Sequence, residues 1–196
     1  MFPDLTRDDV FRIETRRLWL RWPCAADARA IVELAGEREV AQMTARIPHP
    51  IDPHGIDAFL IEARRGNAEG ECLVMALALH AAPAALIGIV SVEPDRQEDG
   101  PHLGYWLGRP FWGRGLMSEA AGALTDAYFG YAGGAVLTSD ALVANPGSQR
   151  VLEKCGFARF DTRMRDFPAR RGNRPVHSFR LERADWARRR GEAMGV

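Results

Sequence analysis

RPFWGRGLMSEAAG, residues 109–122, is the stretch on which the reading of this chain turns. Gly113 and Gly115 flank Arg114 immediately before Leu116, Ala120 and Leu124, whose spacing of four marks one face of a helix. Glycine loosens the backbone where a helix must nucleate, so the turn costs order unless it serves something. An ATP-type phosphate loop does not fit. Gly108 and Gly113 have its spacing, but Arg114 and Gly115 follow where that loop needs Lys and Ser or Thr. A dinucleotide fingerprint would need a third glycine where Ser118 stands. Two readings stay open. Either the glycines are a plain sharp turn, or their amides form a nest at a helix N-terminus that cradles a pyrophosphate without metal, with Arg109 and Arg114 adding charge from the sides.

Outward from this turn the chain reads as alternating elements. RLWLRW (17–22) is a strand, ADARAIVELAG (26–36) a helix closed by Gly36, IPHPIDPHG (47–55) a proline-rich loop and GIDAFLIEARRG (55–66) a second helix. ECLVMALALH (71–80), ALIGIVSVEP (85–94) and HLGYWLG (102–108) form an antiparallel meander joined by AAPA and DRQEDGP. After the glycine helix (116–131), AVLTSDALVA (135–144) is apolar enough for a strand buried on both faces, parallel to the strand before the helix. A short helix, PGSQRVLEKC (146–155), opens at Pro146 and closes at Gly156; FARFDTRMRDF (157–167) and PVHSFRLE (175–182) end the chain as a strand pair. The predicted order is β-α-α-β-β-β-α-β-α-β-β, an α/β (α+β) fold in one domain over residues 1–196.

Composition narrows the function classes. The chain has 26 Lys plus Arg against 26 Asp plus Glu, so its net charge gives no general attraction to nucleic acid or anionic membrane. From Arg159 onward there are eleven Arg against five acids, read as a solvated tail and substrate rim, with a nucleic-acid face as a rival. Cys24, Cys72 and Cys155 form no metal or redox spacing and read as reduced, buried thiols. His49 and His54 lack a third ligand nearby, so no metal is expected. The N-terminal segment carries acids and arginines where a signal peptide needs an apolar run, and the longest apolar run, 72–79, is far shorter than the ~20 residues of a bilayer span. A cytoplasmic protein is expected.

A second motif, ANPGSQRVLEKCGF (144–157), bears on the open alternatives. Together with FWGRGLMSEA it resembles the GNAT superfamily of N-acetyltransferases, closest to the branch of ribosomal-protein N-terminal acetyltransferases. TRRLWLRWP and LGYWLGRPFWGRG match the same branch, and the resemblance covers about residues 14–183. It implies a GNAT fold with a mixed central sheet whose fourth and fifth strands splay apart, and acetyl-coenzyme A as co-substrate. It implies pyrophosphate binding at Trp112, Gly113, Arg114, Gly115, Leu116, Met117 and Ser118. Pantetheine would lie between residues 103–107, including Tyr105, Trp106 and Leu107, and residues 137–143, with Asn145 contacting its arm. The family's usual tyrosine acid falls at Leu152, while the serine used by this branch falls at Ser148, which also touches the cofactor. Pro110 stands where the family often has Gln or Arg and donates no N–H; Arg109 is expected to shift in. A homodimer follows only by analogy with the branch.

The chemistry implied is acetyl transfer to an amine by direct attack in a ternary complex. An α-amine with pKa ~8 is about a tenth neutral at pH 7, a lysine amine only to a few parts in ten thousand. His102 and Glu93, at strand ends, are the candidate bases, against the reading that both are merely solvated. Ser148 is the candidate donor to the departing thiolate, against that of a helix-surface serine. The acceptor groove is expected between the first two helices, the loop at 45–55 and the hairpin at 160–176, where the Arg cluster at 163–174 could favour a carboxylate-bearing acceptor. The alternative to an enzyme is a non-catalytic coenzyme-A-binding sensor or partner-binding module.

Overall fold

The computed structural model describes residues 11–95 and 100–194. The N-terminal segment read above lies outside them for residues 1–10, as does 96–99 of the connector before the third meander strand.

Among the described residues, eight strands form one sheet: β1 (Arg12–Glu14), β2 (Leu18–Arg21), β3 (Leu73–Leu79), β4 (Leu86–Pro94), β5 (Pro101–Leu107), β6 (Val136–Leu142), β7 (Ala158–Phe167) and β8 (Gly172–Glu182), in spatial order β1-β2-β3-β4-β5-β6-β8-β7. Helices α1 (Ala28–Ala35), α2 (Arg38–Ala41) and α3 (Pro53–Glu69) precede the meander. Helix α4 (Leu116–Tyr131) links β5 to β6, α5 (Pro146–Cys155) follows β6, and α6 (Arg183–Met194) follows β8.

The meander strand β3 is buried on both sides, and its alternate residues join different cores. Met75 and Leu77 of β3 join a core with Leu116, Ala120, Leu124 and Phe129 of α4 and with Leu152 of α5. Val74 and Ala76 join a second core with Ile31 and Ala35 of α1 and with Ile56, Leu60 and Ala63 of α3. Since successive strand residues face opposite sides, the sheet carries helices on both faces.

Register creates the opening. β4 and β5 pair continuously from Gly88↔Leu107 to Pro94↔Pro101. β5 and β6 are parallel and share one register pair, His102↔Thr138. Two side chains fasten this end: Thr138 Oγ1 donates to Pro101 O (3.0 Å) and Ser139 Oγ to Leu103 O (2.7 Å). Beyond it the strands part, which is the splay expected between the fourth and fifth strands.

Several expectations need correcting. β6 is not buried on both faces; burial alternates along it, because it pairs fully with β8 but leaves β5 after one position. β1, α2 and α6 extend the expected order. Helix α6 is polar almost throughout, yet Trp186 stacks on Phe129 at 5.4 Å and donates from Nε1 to Asp126 (2.7 Å). The three cysteines are free and half-buried rather than fully buried.

Candidate active site

At the glycine turn both glycines are left-handed, Gly113 at φ 74° and Gly115 at φ 72°. A side chain would strain this backbone, so the pair lets the chain reverse tightly into α4. Trp112 Nε1 donates to Leu107 O (2.6 Å) and ties the turn to the end of β5. The first amides of a helix have no intrahelical acceptor, and the α4 ladder starts with Glu119 N donating to Gly115 O (3.2 Å). Leu116 and Met117 bury their side chains in the core, so only their main chain is available to a ligand. Arg109 does not shift into the turn: it pairs with Glu39 at 2.6 Å. Arg114 is exposed, and its carbonyl accepts from Arg17 Nη1 (2.9 Å).

A cavity of about 1300 Å³ begins at this turn. It passes between Leu103–Leu107 and Ser139–Leu142, then opens among α1, α3, residues 43–52 and the β7 end at Arg165, Phe167 and Pro168. The lining of β6 is thus shorter than expected: Leu137 is in the core. Tyr105, Trp106, Leu107, Trp112, Gly113, Gly115, Leu116, Met117, Ser118, Asn145 and Ser148 all line the cavity.

Within the gap, Tyr105 and Ser148 meet. Their hydroxyls lie 2.9 Å apart, where either can donate, and Ser148 O, 3.1 Å from Tyr105 Oη, is an alternative acceptor for the one phenolic proton. Asn145 caps α5, its side chain accepting from Ser148 N (3.1 Å), so the serine is held at the mouth of that helix. Burial pushes the Tyr105 phenol well above its ordinary value despite the serine hydrogen bond, and it stays protonated at neutral pH. Leu152, at the family's tyrosine position, is fully buried. Sequence reasoning placed Tyr105 on the cofactor wall and missed its bond to Ser148; no local spacing links positions 43 residues apart.

Deeper in the cavity, His102 and Glu93 are register partners on β5 and β4. Burial raises the Glu93 carboxyl, but paired hydrogen bonds from Arg46 (2.9 and 3.1 Å) and one from Ser91 Oγ (2.6 Å) outweigh it and hold it below the usual range. That carboxylate is ionised and committed. His102 is lowered to about 4, chiefly by burial and then by the nearby Arg165 charge, against the opposing pull of Asp95. The expected value near neutrality is therefore not what the site provides: the imidazole is neutral over the physiological range. Its Nδ1 lies 3.4 Å from Asp95 Oδ2.

Arg165, one of the Arg cluster at 163–174, organises this end of the site through two acid partners that no local spacing links to it. Its Nη2 donates to both oxygens of Asp95 (2.6 Å each), its Nη1 contacts Asp140, and Ser178 Oγ donates to Asp140 (2.6 Å). Asp95 and Asp140 are 3% and 8% exposed, so the guanidinium is what allows two carboxylates to be buried together. Asp95, His102 and Asp140 converge closely enough for a metal, but Arg165 already supplies the cation between the two acids. Part of the Arg cluster is engaged within the protein, while Arg171 and Arg174 are exposed. Arg163 faces Asp140 at 3.7 Å, and Arg170 donates to the carbonyls of Ala41 and Ile47.

Residues 17–158, most of the chain, match the family profile of the acetyltransferase (GNAT) domain. No curated protein sequence matches. Solved structures share the fold. The ribosomal-protein-S5-alanine acetyltransferase of Vibrio fischeri superposes with a TM-score of 0.76 at 18% identity, over 90% of this chain and 98% of its own. A GNAT-family acetyltransferase from Bacillus anthracis gives 0.74 at 18% identity, over 89% and 99%. The microcin C7 self-immunity acetyltransferase, solved with acetyl-CoA and AMP, gives 0.71 at 17% identity, over 86% and 93%. The chain belongs to the GNAT family of acetyltransferases, enzymes that take their acetyl group from acetyl-coenzyme A.

Proposed function

We propose that the protein acetylates a primary amine by direct attack on acetyl-coenzyme A in a ternary complex. One observation carries this reading: a single cavity joins the glycine turn, the Tyr105–Ser148 pair and His102. The amides from Gly113 to Ser118 hold the donor's diphosphate, favoured by the positive end of α4. The pantetheine arm follows the gap between β5 and β6 past Tyr105 and Asn145. The thioester then lies where amine and donor meet, with the acceptor entering between α1, α3 and the β7–β8 hairpin.

His102 is favoured over Glu93 as proton acceptor. Glu93 is held in a two-point ion pair with Arg46, whereas neutral His102 can take a proton without first losing one. Asp95 beside it offsets the imidazolium charge that forms. As the tetrahedral intermediate collapses, Ser148 donates a hydrogen bond to the departing thiolate sulfur, and protonated Tyr105 orients its hydroxyl. With so low a base pKa, the pH dependence of kcat/KM follows the acceptor amine itself. An α-amine suits such a weak base better than a lysine amine, because more of it is already neutral. A protein N-terminus, acted on in the cytoplasm by a single-domain enzyme, is the acceptor class proposed.

The test is an acceptor screen with acetyl-coenzyme A, reading released thiol. Turnover with an α-amine substrate, lowered in His102→Ala and Ser148→Ala, is the expected result. Coenzyme A binding with no turnover on any amine would make the protein a sensor or binding module instead.

A further inference from the structure

A tie reaches the glycine turn from a part of the sheet distant in sequence. The first turn of α4 carries Glu119, an acid close to where a diphosphate would rest. Its carboxylate does not face solvent unpaired. Thr15 Oγ1 donates to Oε1 (2.6 Å), Arg17 N donates to Oε1 (2.8 Å) and Arg17 Nε donates to Oε2 (2.7 Å). These donors come from the turn between β1 and β2, where Thr15 N in turn donates to Leu18 O (2.9 Å). The same guanidinium extends to the nest, its Nη1 donating to the carbonyl of Arg114 (2.9 Å). Arg17 Nη2 lies so close that a Cβ on Gly115 would sit 3.6 Å from it.

In a planar trans peptide the carbonyl of one residue and the N–H of the next point in opposite directions. Holding the Arg114 carbonyl toward Arg17 therefore turns the Gly115 N–H the other way, on a glycine that lines the cavity. A two-glycine turn has little intrinsic preference for that orientation. The Arg17 charge also balances Glu119, which would otherwise oppose an incoming anion.

We propose that Arg17 and Glu119 are positioning residues for the donor: an ion pair anchored on the β1–β2 turn that presets the amides of the glycine turn for the diphosphate. The inference rests on the function proposed above. It predicts a defect confined to donors that carry the diphosphate. In Arg17→Met and Glu119→Gln, the Kd for coenzyme A and the KM for acetyl-coenzyme A rise about tenfold, the order expected when a binding group is misplaced rather than removed. Saturated kcat stays within about twofold, since no reacting group has changed. S-acetylpantetheine, an acetyl thioester without diphosphate or nucleotide, is used by variants and parent alike.

Calorimetry with coenzyme A and paired kinetics with the two thioesters make the test, with Thr15→Val as a milder variant that loses one bond to Glu119. An equal loss with both thioesters would overturn the inference, showing a general defect. Unchanged coenzyme A affinity in the variants would overturn it alone and leave the functional reading standing. A parent protein that takes up no coenzyme A would defeat both.

Discussion

The hydroxyls of Tyr105 and Ser148 meet at 2.9 Å across the gap between β5 and α5, and this contact joins a strand residue to a helix start. It places a protonated phenol behind the serine that faces the cavity. The family's tyrosine is thus absent from its usual position, while a tyrosine from another element supports the serine.

Ser148→Ala is expected to lower kcat by about a hundredfold, the lower end of the range for a lost proton donor. Tyr105→Phe, which leaves the serine in place but unoriented, should cost about three- to tenfold. Because the two act as a unit, the double variant should be little worse than Ser148→Ala alone. Initial rates at saturating acetyl-coenzyme A check this; additive losses would show that the residues work separately.

His102 makes stability depend on pH. Its folded value, about 4, lies below the ordinary 6.5, so between these values the unfolded chain binds a proton that the folded chain refuses. Stability is then full above pH 6.5 and declines as pH falls toward 4. The loss over that window is on the order of 2–3 kcal/mol. Urea unfolding at pH 7 and pH 4.5 should show a smaller difference in His102→Gln than in the parent. Identical differences would mean that the imidazole is not held neutral.

Removing the cation at the deep end of the site should destabilise the fold. Arg165→Met leaves Asp95 and Asp140 buried without the guanidinium that spans them, at a cost of about 3–5 kcal/mol. Arg165→Lys should recover only part, since an ammonium cannot reproduce the fork between two carboxylates. Denaturant melts at neutral pH provide the measurement, and a change under about 1 kcal/mol for Arg165→Met would contradict the reading.

Gly113 separates folding from binding. No atom lies within 4 Å of a Cβ built there, so Gly113→Ala should cost only the strain of a left-handed alanine, about 1–2 kcal/mol. Coenzyme A affinity should fall as well, because the relaxed backbone re-aims the amides. A variant destabilised to this extent but binding normally would show that the turn is only structural.

What the sequence made legible was whatever local chemistry dictates. Gly113 and Gly115 announced the turn into α4, Pro146 and Gly156 bounded α5, and the turn residues between apolar runs announced the antiparallel meander. The missing parts depend on residues that only the folded chain brings together. Arg17 and Glu119 stand 102 positions apart, and Arg165 and Asp95 stand 70 apart. Helix α6 escaped notice because its polar sequence has no apolar stripe, and one tryptophan docks it. The pKa of His102 could not be read either, since its cause is burial beside an arginine from a distant strand.

The central claim is that main-chain amides at the start of α4 receive the donor's diphosphate. Titrating ¹⁵N-labelled protein with coenzyme A and following amide resonances tests it directly. The account predicts that Gly113, Arg114, Gly115 and Leu116 move among the most, with saturation matching the calorimetric Kd. Saturable binding that leaves these four resonances in place would contradict it.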